Sequence, residues 1–106
     1  MTQNVQDMVR VLDSDALGEG QMTSVNVGEE EIALYRVEGV IYATSNICSH
    51  AYAIMTEGYL DGDCIECPLH QALFSIKTGE PIDAPTDKAL PIFATAEHDG
   101  GIYVRV

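Results

Sequence analysis

Two short segments constrain this chain more than any other feature: Cys48-Ser49-His50 and, beyond residues 51–66, Cys67-Pro68-Leu69-His70. Each offers one thiol and one imidazole, and each reads as loop rather than as alternating strand. A fold in which all four residues act together has to bring two loops, well separated in sequence, to one place.

The rest of the chain reads mostly as strand. β-branched segments over Met8 to Leu12, Thr23 to Val27, Ile32 to Val37 and Val40 to Ala43 are divided by the turn sequences Val27-Gly28-Glu29 and Glu38-Gly39, the second a tight hairpin. Further strands are expected at Cys64 to Glu66, Leu73 to Ile76, Ile92 to Glu97 and Ile102 to Val106, the last two joined by His98-Asp99-Gly100-Gly101. Thr44 to Gly58 breaks the alternation and reads as a loop with a short helical turn. Lys77 to Pro85 also reads as loop, because Pro81 and Pro85 lack the donor a central strand needs. Many short strands in 106 residues, with no repeat or linker, predict one all-β domain spanning residues 1–106, a small antiparallel sandwich or barrel. The ligand-bearing loops are expected at about residues 44–58 and 64–76.

Two thiols and two imidazoles suit a 2Fe-2S cluster in which one iron takes both cysteines and the other both histidines, each loop giving one ligand to each iron. With neutral imidazoles the oxidised core sums to zero charge, where four thiolates leave about −2, so such a cluster accepts an electron more readily. A tetrahedral zinc site in a structural interaction module is the competing reading, since two cysteines and two histidines are also a common zinc set. Zinc fingers, however, group Cys with Cys and His with His, whereas here they alternate within each pair. Cys64 lies three before Cys67 and could form a redox or zinc pair with it, but a small apolar side chain packed in a strand is the expected role. His98, in a turn, is expected to face solvent.

Seventeen acidic residues against five basic ones give a formal net charge of −12, which repels nucleic-acid phosphates and anionic lipid and favours partners with basic patches. The longest apolar run, Ala51 to Met55, is far short of a membrane span, and Met1 to Asp7 does not read as a secretory leader. A cytoplasmic, monomeric protein is expected.

At the two Cys/His segments the sequence resembles the Rieske ferredoxins that serve bacterial aromatic-ring-hydroxylating dioxygenase systems. The likeness extends to Ile32-Ala33-Leu34-Tyr35-Arg36-Val37-Glu38-Gly39, Glu57-Gly58-Tyr59-Leu60-Asp61-Gly62, Ile65-Glu66, Phe74, Thr78-Gly79 and Pro85. The resemblance implies a Rieske-type sandwich of three antiparallel sheets. One 2Fe-2S cluster would lie at one tip on Cys48, His50, Cys67 and His70, with the histidines nearest solvent and a loop containing Pro85 over it. It further implies a one-electron carrier with no turnover of its own, fed by a flavin-dependent NAD(P)H reductase and discharged by a terminal oxygenase. A Rieske subunit built into a larger reductase, such as a nitrite reductase, shares the same chemistry. No second cysteine in each loop forms the disulfide of respiratory Rieske proteins, so the potential is expected near the bottom of the Rieske range, about −150 mV. Many members carry glycine where this chain has Ala51 and Ala72, positions at which a positive φ would strain alanine. Met55 falls where the family usually has a bulky apolar residue.

Overall fold

Successive side chains on a strand point to opposite faces, so an unbroken apolar run such as Ile32-Ala33-Leu34-Tyr35 specifies a strand covered on both sides. The computed structural model describes residues 7–47, 53–68, 72–83 and 88–106. In it the run lies in the strand Glu30–Val37, and all four side chains are buried. Ile32 and Leu34 enter one core, with Ile41, Ala43, Ile102 and Val104. Ala33, Tyr35 and Val37 enter a second, with Met55, Ile65, Cys67 and Phe74. One strand is therefore the wall between two cores.

In chain order the strands are β1 (Val9–Asp13), β2 (Met22–Val27), β3 (Glu30–Val37), β4 (Val40–Ser45), β5 (Tyr59–Asp61), β6 (Cys64–Glu66), β7 (Leu73–Ser75), β8 (Pro81–Asp83), β9 (Ile92–His98) and β10 (Gly101–Arg105), with single 3-10 turns at Ser14–Ala16 and Met55–Glu57. A six-stranded sheet has the order β1-β10-β9-β4-β3-β2 and a four-stranded sheet the order β5-β6-β7-β8, with every pairing antiparallel. The three sheets expected from the family resemblance reduce to two by hydrogen bonding. The triplets β1-β10-β9 and β2-β3-β4 meet edge to edge through the pairs Ala43–Phe93 and Thr44–Ile92, with the Ser45 amide donating to the Pro91 carbonyl at 2.8 Å and the Thr95 hydroxyl to the Ile41 carbonyl at 2.8 Å.

Two hairpins follow from their turn residues. Glu38-Gly39 (φ 53 and 78) and Asp99-Gly100 (φ 49 and 75) both adopt the positive φ values whose twist matches that of paired strands. The second turn is shorter than the sequence suggested, because His98 and Gly101 face each other as the last and first strand residues.

The loop expected over Lys77 to Pro85 contains β8. The objection to proline holds for a central strand, but among the described residues β8 pairs only with β7 and lies at the sheet edge, where a missing donor is tolerated. Thr44 and Ser45, expected in a loop, extend β4. The helical turn expected between Thr44 and Gly58 is the 3-10 turn at Met55–Glu57. The strand β5, at Tyr59–Asp61, carried too few residues to show a period.

A polar lock closes the larger sheet. Arg36, on the same face of β3 as Ile32 and Leu34, donates from Nε to the Leu17 carbonyl (2.6 Å), from NH2 to the Ser14 carbonyl (3.0 Å), and from both NH groups to the Glu97 carboxylate (3.1 and 2.9 Å). Glu19 caps the neighbouring hairpin by accepting from the Glu38 and Gly39 amides at 2.6 and 2.8 Å. The Glu97 carboxyl is held below its ordinary pKa by the Arg36 hydrogen bonds.

Candidate metal centre

Cys67 follows directly on β6 and is fully buried. Its amide donates to the Ala72 carbonyl at 2.7 Å, closing the base of the segment that carries His70. The segment carrying Cys48 and His50 is closed in a similar way, by an antiparallel bridge between Ile47 and Ile54 and by the Met55 amide donating to the Asn46 carbonyl at 2.7 Å. Ala53 and Met55 from the first base and Cys67 and Ala72 from the second belong to one apolar core. The fold therefore roots the two segments side by side.

Cys48, His50 and His70 lie outside the described residues, as do Ala51 and Pro85. Of the expected ligands the described residues include Cys67, and among them no group of three or more His, Cys, Asp or Glu could hold a metal ion elsewhere. Cys67 is buried in the same apolar core as Ala53, Ala72 and Met55, where its thiolate form would be stable only against a cation such as a metal. This donor set of soft thiolates and imidazoles fits a 2Fe-2S cluster.

Local backbone chemistry supports the second base. Gly58 is required by close approach: a Cβ at this position would run into the carbonyl oxygen of Glu66, the residue before Cys67. Thr78-Gly79 does more than turn the chain. Gly79 (φ 78) packs against the Leu90 backbone and accepts the Leu90 amide at 2.7 Å, which fastens the far end of the segment containing Pro85. Met55 is fully buried and so belongs to the core rather than to a docking surface.

Asn46 is the residue that sequence reasoning missed. It is 1% exposed, stands at the end of β4, and bonds to both β3 and the 3-10 turn. The available signal was an Asx residue where strand alternation stops, two positions before Cys48.

Cys64 does not pack in the core as expected. Side chains alternate along β6, so Ile65 is buried and Cys64 is half-buried on the opposite face, its Sγ 3.5 Å from Asp63 Oδ1. Partial burial, followed by the acidic neighbour Asp63, pushes its pKa up and keeps it a thiol. No disulfide joins it to Cys67. His98 faces solvent, with Asp99 beside it at 3.2 Å.

The fold and this paired-loop site define a Rieske protein, and the chain belongs to that family: residues 7–94 match the Rieske [2Fe-2S] domain. Within the family it is similar to ferredoxin components of dioxygenase systems. It is 45% identical over 93 residues, 88% of this chain and 86% of the relative, to the ferredoxin component of the naphthalene 1,2-dioxygenase/salicylate 5-hydroxylase systems of a Ralstonia species. Its fold matches the ferredoxin of carbazole 1,9a-dioxygenase from Nocardioides aromaticivorans with a TM-score of 0.89 at 32% identity, covering 94% of this chain and 98% of that one. It also matches a chain in the complex of reduced oxygenase and oxidised ferredoxin of carbazole 1,9a-dioxygenase, with a TM-score of 0.88 at 38% identity and 94% coverage of both. The cofactor is accordingly one Rieske-type 2Fe-2S cluster rather than zinc, and the chain is an electron carrier, not itself an enzyme.

Proposed function

We propose that this chain passes single electrons from a flavin-dependent NAD(P)H reductase to a terminal aromatic-ring-hydroxylating oxygenase, holding its cluster with Cys48 and Cys67 on one iron and His50 and His70 on the other. The observation that carries this reading is the rooting of the bases of both Cys/His segments in one core, with Cys67 buried in that core. When bound, the cluster supplies a centre that takes up and returns one electron. The protein's own part is to fix the ligands, exclude water from the cysteine side and present a surface to each partner.

That surface is readable from the strand register. Tyr59, Glu66 and Leu73 are paired across β5, β6 and β7 on the face opposite Leu60, Ile65 and Phe74, at the end from which Cys67 departs. Tyr59 is 70% exposed, and Glu57, Asp61 and Asp63 are exposed close by in sequence. An exposed aromatic with acidic residues nearby in sequence suits a brief encounter with a basic partner, in which long-range attraction sets the rate and little surface is buried. The naming of the Ralstonia relative as a dioxygenase-system component and the oxygenase–ferredoxin complex support the choice of acceptor. Among the described residues no helix is long and apolar enough to cross a membrane. A cytoplasmic monomer, folded as one domain over residues 1–106 with β3 shared by both cores, completes the proposal.

Stopped-flow mixing of the reduced protein with an oxidised naphthalene-type oxygenase tests the reading. Electron delivery should be fast at low salt and slow by roughly tenfold as added salt brings the Debye length from about 10 Å to about 3 Å. No electron delivery at any salt concentration would rule out the acceptor, and a flat salt dependence would rule out acidic steering.

A further inference from the structure

Asn46 makes four hydrogen bonds among the described residues while almost wholly buried. Its backbone amide donates to the Glu31 carbonyl at 2.9 Å and its carbonyl accepts the Met55 amide at 2.7 Å. Its side chain works in both directions: Nδ2 donates to the Glu31 carboxylate at 2.8 Å, and Oδ1 accepts the Thr56 amide at 2.9 Å. Thus one residue ties three elements together: β3 through Glu31, the outgoing end of β4 through its own backbone, and the returning 3-10 turn through Met55 and Thr56. The Ile47–Ile54 bridge lies immediately inside this clamp, and the segment carrying Cys48 and His50 lies inside the bridge.

We infer that Asn46 is the positioning residue of the first ligand segment: by holding both ends of residues 47–54 against β3 through Glu31, it fixes where Cys48 and His50 meet the cluster. The inference rests on the ligand assignment proposed above. The chemistry explains why asparagine stands here. A side chain that must donate to a carboxylate and accept from an amide needs one NH2 and one carbonyl on a short stem. Aspartate offers only acceptors and would set a carboxylate against Glu31. Alanine or leucine would leave the Thr56 amide without its acceptor in a buried setting. Glu31 has its own requirement, since its carboxylate must reach Nδ2 from β3, and a glutamine there still offers an accepting oxygen.

The pair can be tested by reversing its polarity. In the intact holoprotein, Asn46→Asp should speed release of the cluster into an iron chelator by about 10- to 100-fold, the usual effect of losing a partner that orients metal ligands. It should also shift the EPR g-values of the reduced cluster. Glu31→Gln alone keeps the acceptor and should leave both unchanged. The double variant Asn46→Asp with Glu31→Gln restores the bond, with the glutamine now donating, and should bring release and g-values back toward the parent protein. If Asn46→Asp fails to accumulate folded, Glu31→Ala removes the same bond from the β3 side and should give the same spectral shift. Wild-type release and spectra in Asn46→Asp or in Glu31→Ala, or a double variant no closer to the parent than the single, would overturn the inference. The ligand assignment is judged separately, by whether the unmutated reduced protein shows a histidine-ligated spectrum at all.

Discussion

The two sheets solve different problems. The six-stranded sheet has strands of five to eight residues and closes on a core of aliphatic side chains, sealed by Arg36 and Glu97. The four-stranded sheet has strands of three residues each, and its core includes Cys67 and the bases of both ligand segments. Strands this short make too few ladder bonds to be stable alone. They are held by packing on β3, by the Cys67–Ala72 and Asn46–Met55 bonds, and by whatever binds the loops they carry. The larger sheet is thus the scaffold, and the smaller one is ordered largely by its attachment to it.

Removing a ligand should separate the two most sharply. Cys67→Ser should abolish the cluster, seen as loss of iron and visible absorption, while amide exchange in β3, β4, β9 and β10 stays protected and that in β6 and β7 rises. Uniform loss of protection would mean that the sheets do not differ. Core truncations come next. Leu34→Ala, in the scaffold core, and Ile65→Ala, in the smaller sheet, should each cost about 2–5 kcal/mol of unfolding free energy, both residues being fully buried. Only the second should also hasten cluster release, which chelator kinetics on both variants would show.

The polar lock should matter less. Arg36→Met removes bonds to the Leu17, Ser14 and Gly39 carbonyls and to the Glu97 carboxylate and should cost about 1–3 kcal/mol in denaturant melts, with an unchanged EPR spectrum. The pH dependence follows from Glu97, whose folded-state pKa is depressed by Arg36. Its contribution is fully present above the ordinary value of 4.5 and is lost as pH falls through the lower folded-state value. Protonating the other carboxylates relieves repulsion in a chain of net charge −12, so the difference between parent and Arg36→Met isolates the lock. That difference should shrink on acidification below pH 4.5. The smallest effect belongs to Cys64→Ser, on the outer face of β6. Stability should change by about 0.5 kcal/mol or less and the spectrum not at all. A lost cluster in that variant would revive Cys64 as a ligand.

The scaffold was legible because its signals are local. The unbroken apolar run of β3 and the turn sequences Glu38-Gly39 and Asp99-Gly100 carry their own geometry. The smaller sheet was legible only in part. β8 was hidden because the cost of Pro81 depends on whether its strand is central or at an edge, which sequence does not state. Asn46 was hidden because its partners, Glu31 and Thr56, are neighbours only after folding. Cys64 was misjudged because strand parity relative to Ile65, not residue type, decides which side chain enters the core. The two Cys/His pairs stood out for the opposite reason, since their chemistry is written in the sequence before any fold exists.

The most direct test of mixed ligation is the EPR spectrum of the dithionite-reduced holoprotein, read with nitrogen hyperfine couplings. Ligation by Cys48, Cys67, His50 and His70 predicts an average g below that of an all-cysteine 2Fe-2S centre, with couplings from two imidazole nitrogens that His50→Cys or His70→Cys removes one at a time. An all-cysteine spectrum without nitrogen coupling, or an EPR-silent protein containing zinc, would contradict it.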